Sequence, residues 1–180
     1  RERFITVPVI MDQRKANRLK NYDYSQNGYY FVTICTQGKR EWFGSIENGV
    51  MELNENGRFV SACWVDLSNH YRNIELDEFI VMPNHVPGIV VIDNTGNGLK
   101  PFPTKNHGLP EIIRALKTFS SRRINEMIKS GDKFHWQKSF YDHIIRDESS
   151  LSRIREYIVN NQCRKIPLNC LQVNSNGGCL

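Results

Sequence analysis

The sequence contains no apolar run long enough to cross a bilayer, so no membrane span is expected. It has no C-x-x-C pair, and its five cysteines (Cys35, Cys63, Cys163, Cys170 and Cys179) form an odd set. That spacing argues against a disulfide framework and against a zinc knuckle. Cys35 and Cys63 sit in apolar runs and are expected as buried thiols. The first twenty residues are charged and lack an apolar core segment, so they do not read as a secretory leader, and a cytoplasmic protein is expected. No internal repeat is present.

What remains is an ordinary globular composition. Apolar residues make up 39% of 180 residues, enough for one domain with a full core and short for two. A basic lead-in over residues 1–21, a single domain over 22–162 and a tail over 163–180 divide the chain. The formal net charge of +5 permits contact with phosphate backbones, although many globular proteins are this basic.

β-Branched and aromatic residues predict a strand over 29–36, bracketed by Gly28 and Gly38. Asn48-Gly49 signals a hairpin between segments 43–46 and 50–53. Asn54 can cap a helix running to about 71, with Phe59, Cys63 and Leu67 at four-residue spacing beside Val60 and Trp64. Strands are predicted over 74–82 and 86–92, joined by Pro83-Asn84-His85. The Gly-, Pro- and Asn-rich segment 93–108 reads as a loop and as the segment expected to move. A helix over 109–130 carries Ile112, Ile113, Leu116, Phe119 and Ile124 on one side. A strand over 140–145 and a helix over 147–161, capped by Asp147, complete the order. Helices separated by adjacent strands predict an α+β fold: a ferredoxin-like (split βαβ) antiparallel sheet with helices packed on it.

Four segments can carry chemistry. In Val81-Met82-Pro83-Asn84-His85-Val86-Pro87, positions 85 and 87 point to one side of a strand, and two histidines there would form a compact metal site. Position 87 is proline, and His85 taken alone reads more readily as a surface or hydrogen-bonded histidine. In the last helix, Leu151, Ile154 and Ile158 form the apolar stripe. Tyr157 lies about 60° around from Ile154, at the stripe's margin. Asn161 shares its face one turn on. A phenol beside an amide oxygen suits a nucleophile next to a metal ligand; from spacing alone, Tyr157 packing on the sheet and Asn161 capping the helix is the simpler reading. Asp142 and His143 are neighbours on a strand and face opposite ways, which favours structural roles for both and for Arg146. Arg114, Lys117, Arg122 and Arg123, with Arg14, Lys15, Arg18 and Lys20 in the lead-in, make a basic set. Such a set is by default a solvated surface and becomes a DNA contact only in a wider case.

Together these segments resemble the REP-associated tyrosine transposases, in the single-tyrosine branch of the HUH endonucleases, beside the small single-strand transposases of bacterial insertion sequences. The resemblance runs from Arg18-Leu19-Lys20 and Tyr22-Asp23-Tyr24-Ser25 through Tyr30-Phe31-Val32-Thr33-Ile34-Cys35-Thr36 and Val81-Met82-Pro83-Asn84-His85-Val86. It continues through Leu109-Pro110-Glu111-Ile112-Ile113, Phe119-Ser120-Ser121-Arg122-Arg123-Ile124-Asn125 and Trp136-Gln137. It closes with Tyr141-Asp142-His143-Ile144-Ile145-Arg146-Asp147 and Ile154-Arg155-Glu156-Tyr157-Ile158-Val159-Asn160-Asn161. It spans about residues 18–162, in order and at family-like spacing.

The resemblance implies a ferredoxin-like sheet and a divalent metal, Mg2+ or Mn2+, held between two histidines. It makes Tyr157 the nucleophile toward single-stranded or hairpin DNA, forming a 5′-phosphotyrosine link. His85 matches the first metal-binding histidine and Asn161 the polar helix residue that completes the site. It also implies a bacterial protein associated with the nucleoid, acting as a monomer or homodimer. The departure is Pro87, where the family has histidine. Proline offers no ligand atom and no backbone N–H, and fits poorly in a central strand. Impaired cleavage with retained hairpin binding is therefore expected. A catalytically silent DNA-hairpin-binding protein, a ferredoxin-like RNA-binding domain and a metal-dependent hydrolase using His85 and His143 are the competing readings.

Overall fold

The structure, a computed structural model, describes residues 18–19, 21–95, 107–128 and 131–161. The expected tail, most of the basic lead-in and most of the 93–108 loop lie outside these residues.

Strand β1 (Gly28–Cys35) alternates its side chains between two covered faces. Tyr30, Val32 and Ile34 join the larger core, while Phe31 joins a smaller one on the other side. A 3-10 turn follows at Gln37–Lys39, which the sequence pattern does not reveal; Gly38 there has φ of 67°. The hairpin of β2 (Gly44–Glu47) and β3 (Val50–Leu53) forms its own two-stranded sheet. Asn48 and Gly49 both have positive φ (51° and 83°), as its tight turn requires.

Helix α1 (Glu55–His70) starts where the Asn54 side chain accepts from the Gly57 amide. It buries Val60, Cys63, Trp64 and Leu67, whereas Phe59 is only half-buried. Strand β4 (Ile74–Phe79) is shorter than predicted, and a bulge between Leu76 and Phe79 interrupts its register with β5 (His85–Ile92). Helix α2 (Leu109–Met127) ends three residues before the predicted limit. Its Phe119 is a correction: it is 49% exposed, lying at the α1–α2 margin against Phe59 with Arg122 over its ring. Strand β6 (Tyr141–Ile145) and helix α3 (Glu148–Asn160) complete the fold, with Asp147 accepting from the Ser150 amide as predicted.

The four-stranded sheet has order β4-β5-β1-β6. Both β1 and β4 pair antiparallel with β5, so they run parallel with β5 between them across α1. Both β5 and β6 pair antiparallel with β1, giving the same arrangement across α2. These two interleaved split βαβ units are the predicted ferredoxin-like α+β fold. Helices α1 and α2 cover one face and α3 the other. Among the described residues, no helix is long and apolar enough to cross a membrane.

Pro87 sits in β5 without breaking it, contrary to the expectation of a poor fit. In an antiparallel strand a residue's carbonyl and amide point to the same side. The Pro87 carbonyl accepts from the Ile80 amide at 3.1 Å, on the side away from β1. Its missing N–H therefore falls beside the irregular end of β4, and the ladder to β1 runs unbroken from Gly28 opposite Ile92 to Cys35 opposite His85.

Candidate functional site

Ladder register decides which side chains share the face under α3. Cys35 lies opposite His85, Thr33 opposite both Pro87 and Tyr141, and Phe31 opposite Ile89 and His143. Helix α3 lays Leu151 and Ile158 onto Phe31, Ile89 and Ile145. That packing turns Tyr157 inward, with its ring edge-on to Phe31 (centroids 6.1 Å apart, 89° between planes). Arg155, on the same helix, grips Asp77 with three contacts of 2.6, 3.1 and 3.1 Å. Asp77 lies within the β4 bulge, so an irregular strand supplies the anchor for the helix. Burial pushes the Asp77 carboxyl up, but the Arg155 bonds and the Glu78 amide outweigh it and hold it below its ordinary range.

His85 is buried, and burial together with nearby Lys39 pushes its imidazole down to about 4. It is therefore neutral near pH 7. Asn84 Nδ2 donates to the Lys39 carbonyl, which leaves Asn84 Oδ1 to face His85 Nδ1 at 2.8 Å. An amide oxygen only accepts, so Nδ1 carries the proton and the lone pair resides on Nε2.

Tyr157 is half-buried. Burial raises its phenol above the usual value, the adjacent Asn161 amide partly offsets this, and the Cys35 thiol adds to it. Asn161 is the helix C-cap and only 3% exposed. Its approach to Tyr157 is not an aligned hydrogen bond, since Asn161 Nδ2 has no partner of acceptable geometry. Thr33 Oγ1, across the ladder from Pro87, is likewise buried without a partner.

These donors do not complete a site for a hard divalent cation. Mg2+ and Mn2+ favour several oxygen ligands in octahedral array. His85 offers one nitrogen, Asn161 one amide and Pro87 nothing. No three His, Cys, Asp or Glu side chains converge among the described residues.

The structure thus brings His85, Pro87, Tyr157 and Asn161 to one face. It does not bring His85 and His143 together: they sit four residues apart along β1, about 13 Å. Asp142 points to the other face, accepting from Tyr24 Oη at 2.7 Å. Cys63 is buried as predicted, but Cys35 is only partly so. Sequence reasoning did not single out Thr33, Cys35 or Asp77 for the site. A period-two reading outward from His85 would have found Thr33 and Cys35 once the β1–β5 register was known.

The basic set divides. Arg18, Arg114 and Lys117 line one cavity. Arg122 and Arg123 lie on the exposed side of α2, each near Glu126 (3.9 and 3.2 Å). Arg14, Lys15 and Lys20 lie outside the described residues.

Residues 24–161 match the family described as IS200-like transposases. An uncharacterized protein of Haemophilus influenzae is 36% identical over 157 residues, covering 82% of this chain and 87% of its own length. Among solved structures, a REP-associated tyrosine transposase bound to a REP hairpin superposes with a TM-score of 0.53. It is 16% identical, over 80% of this chain and 71% of that one. A putative transposase from Deinococcus radiodurans is 19% identical with a TM-score of 0.47, over 81% and 96%.

Proposed function

The chain belongs to the IS200-like transposase family, and on that premise we propose that it binds single-stranded DNA folded into hairpins, with Tyr157 as the nucleophile for strand nicking. The observation that carries this reading is the placement of Tyr157 on α3. It is half-buried over the sheet face that holds His85 and Thr33, with Asn161 one turn on. The basic residues Arg18, Arg114, Lys117, Arg122 and Arg123, with Arg14, Lys15 and Lys20, supply phosphate contacts, which set position and affinity rather than sequence. The neighbour solved with a REP hairpin suggests the class of DNA to try first.

In the nicking step the Tyr157 Oη–phosphorus bond forms as the bond from phosphorus to the 3′ oxygen breaks. The phenol gives up a proton and the departing oxygen takes one up. The products are a 5′-phosphotyrosine link and a free 3′-OH, and reversal rejoins the strand. A phenol held above its ordinary pKa is a poor nucleophile at neutral pH without help. The divalent metal usual in the family, Mg2+ or Mn2+, finds only His85 and Asn161 here. Nicking is accordingly slow or absent in this chain, while hairpin binding persists. The unpartnered Thr33 hydroxyl supports this account, because an imidazole at position 87 would stand opposite it.

The test is nicking of an end-labelled hairpin oligonucleotide in Mn2+. Pro87→His is expected to raise the rate more than about tenfold, the scale of effects seen when metal-site support is altered. Equal rates would overturn the impairment. In the Pro87→His background, Tyr157→Phe should leave no covalent DNA adduct; a persistent adduct would place the nucleophile elsewhere. An RNA-binding reading is disfavoured by Tyr30 and Phe31, both buried on opposite faces and closed to base stacking.

A further inference from the structure

The cavity that collects Arg18, Arg114 and Lys117 lies on the α2 side of the sheet, away from Tyr157. It measures about 520 Å3, within the range of small-ligand sites, and Glu111, Lys138 and Phe140 also line it. Four cations meet one carboxylate there, and Glu111 Oε2 is turned toward His107 Nδ1 at 3.1 Å.

The cations have different tasks. Lys117 Nζ donates to the Gln137 and Ser139 carbonyls at 2.9 and 2.8 Å. Burial pushes its ammonium down to about 8. It braces the segment leading into β6 against α2. Arg114 and Lys138 form no ion pair among the described residues and are exposed. Arg18 lies over the buried Phe140 ring, its Cζ 4.6 Å from the centroid, with Asp142 Oδ1 3.9 Å from its Nε. Its side chain is still 43% exposed. The guanidinium is therefore backed by an aromatic ring while much of the side chain stays open to solvent. A planar cation presented in this way suits a nucleobase, because guanidinium planes stack on bases. Cations alone would suit any anion; the plane adds the base.

We propose that this cavity holds one unpaired nucleotide of the DNA. Its base stacks on the outer face of Arg18, and its phosphate lies between Arg114 and Lys138. The chain passes from Phe140 in the cavity to Tyr141 on the opposite face within one residue. A strand seated in the cavity can therefore reach the Tyr157 face around the outer edge of β6. The proposal rests on the DNA-binding reading above.

The test uses the full chain and fluorescence anisotropy at fixed salt. The probes are a blunt hairpin and the same hairpin carrying a six-thymidine single-stranded tail at its 5′ or its 3′ end. A tail at one end is expected to tighten binding. Arg18→Ala should remove about fivefold or more of that gain, the scale of one stacked base, read as the ratio of tailed to blunt hairpin affinity for each protein. Arg18→Lys keeps the charge but not the plane, and should lose a similar amount. Thymidine monophosphate should displace the tail at about tenfold lower concentration than inorganic phosphate. If no probe binds, the DNA-binding reading itself fails. If the tail binds equally well to both variants, the cavity assignment fails and the DNA-binding reading stands. Full binding by Arg18→Lys, or equal competition by phosphate, would overturn the base stack. Thermal unfolding of each variant verifies that the fold is kept.

Discussion

The sheet face under α1 and α2 buries Tyr30, Val32, Ile34, Val86, Val90 and Ile92 against two helices and a cluster of aromatic rings. The face under α3 buries Phe31, Ile89 and Ile145 against one helix that contributes Leu151 and Ile158. Their buried polar groups differ as well. On the first face Ser120 accepts from the Trp136 indole at 2.9 Å and donates to the Leu116 carbonyl at 2.6 Å. On the second, Thr33 Oγ1 and Asn161 Nδ2 keep no hydrogen-bond partner; on the first, Trp64 Nε1 and Asp142 Oδ1 likewise have none. Stability is concentrated where two helices pack. What sets the thinner face apart is where its unpartnered groups lie: Asn161 beside Tyr157, and Thr33 on the same sheet face as His85.

The comparison can be broken in three places. The largest effect is expected on the thick face. Trp64 stacks on Phe79 (5.4 Å, 18°) over Gly88, where even an added Cβ would come within 2.5 Å of the indole. Trp64→Ala should cost about 3–5 kcal/mol in urea unfolding. A loss below about 1 kcal/mol would show that this face is not the main source of stability.

Next comes the anchor that holds α3 on the thinner face. Asp77→Ala removes the carboxylate that holds Arg155, and should cost about 1.5 kcal/mol, because Arg155 remains partly in water. The folded pKa of Asp77 lies below its unfolded value. Its contribution is therefore full above the unfolded pKa and is lost as pH falls through the folded one. Stability of the native chain and the variant should converge on acidification; a constant gap would point to packing instead.

The smallest effect is the most discriminating. Ser120→Ala should cost about 1–2 kcal/mol by stranding the Trp136 N–H. Thr33→Val, which removes a hydroxyl without a partner in nearly the same shape, should be neutral or stabilise by up to about 1 kcal/mol. Equal costs at both positions would erase the distinction between the faces.

Much of this was readable from local pattern. Asn54 and Asp147 as caps, Asn48-Gly49 as a turn, and the shared helical face of Tyr157 and Asn161 all follow from spacings of two to four residues. The features missed are those that need distant segments to meet. The β4 bulge has no marker in Leu76-Asp77-Glu78-Phe79, since its cause is the register against β5. The cavity joins residue 18 to 110–118 and 138–140, so Phe140 gave no sign of backing Arg18. Helical period puts Phe119 inward, but it meets the half-buried Phe59 of α1 at the margin of the two helices and stays 49% exposed. Pro87 was read as a misfit because a central strand normally needs its amides. Its amide side faces the bulged neighbour, a register that local pattern does not carry.

That geometry has a genetic consequence. Because the ladder to β1 never uses a proton from position 87, histidine and proline are both compatible with the same folded strand. Their codons can differ by a single middle base. The step between histidine and proline at position 87 is thus one mutation wide, with the same folded strand on either side of it. Under the function proposed above, a lineage carrying this chain would silence nicking, keep hairpin binding, and recover the enzyme by reversing one base.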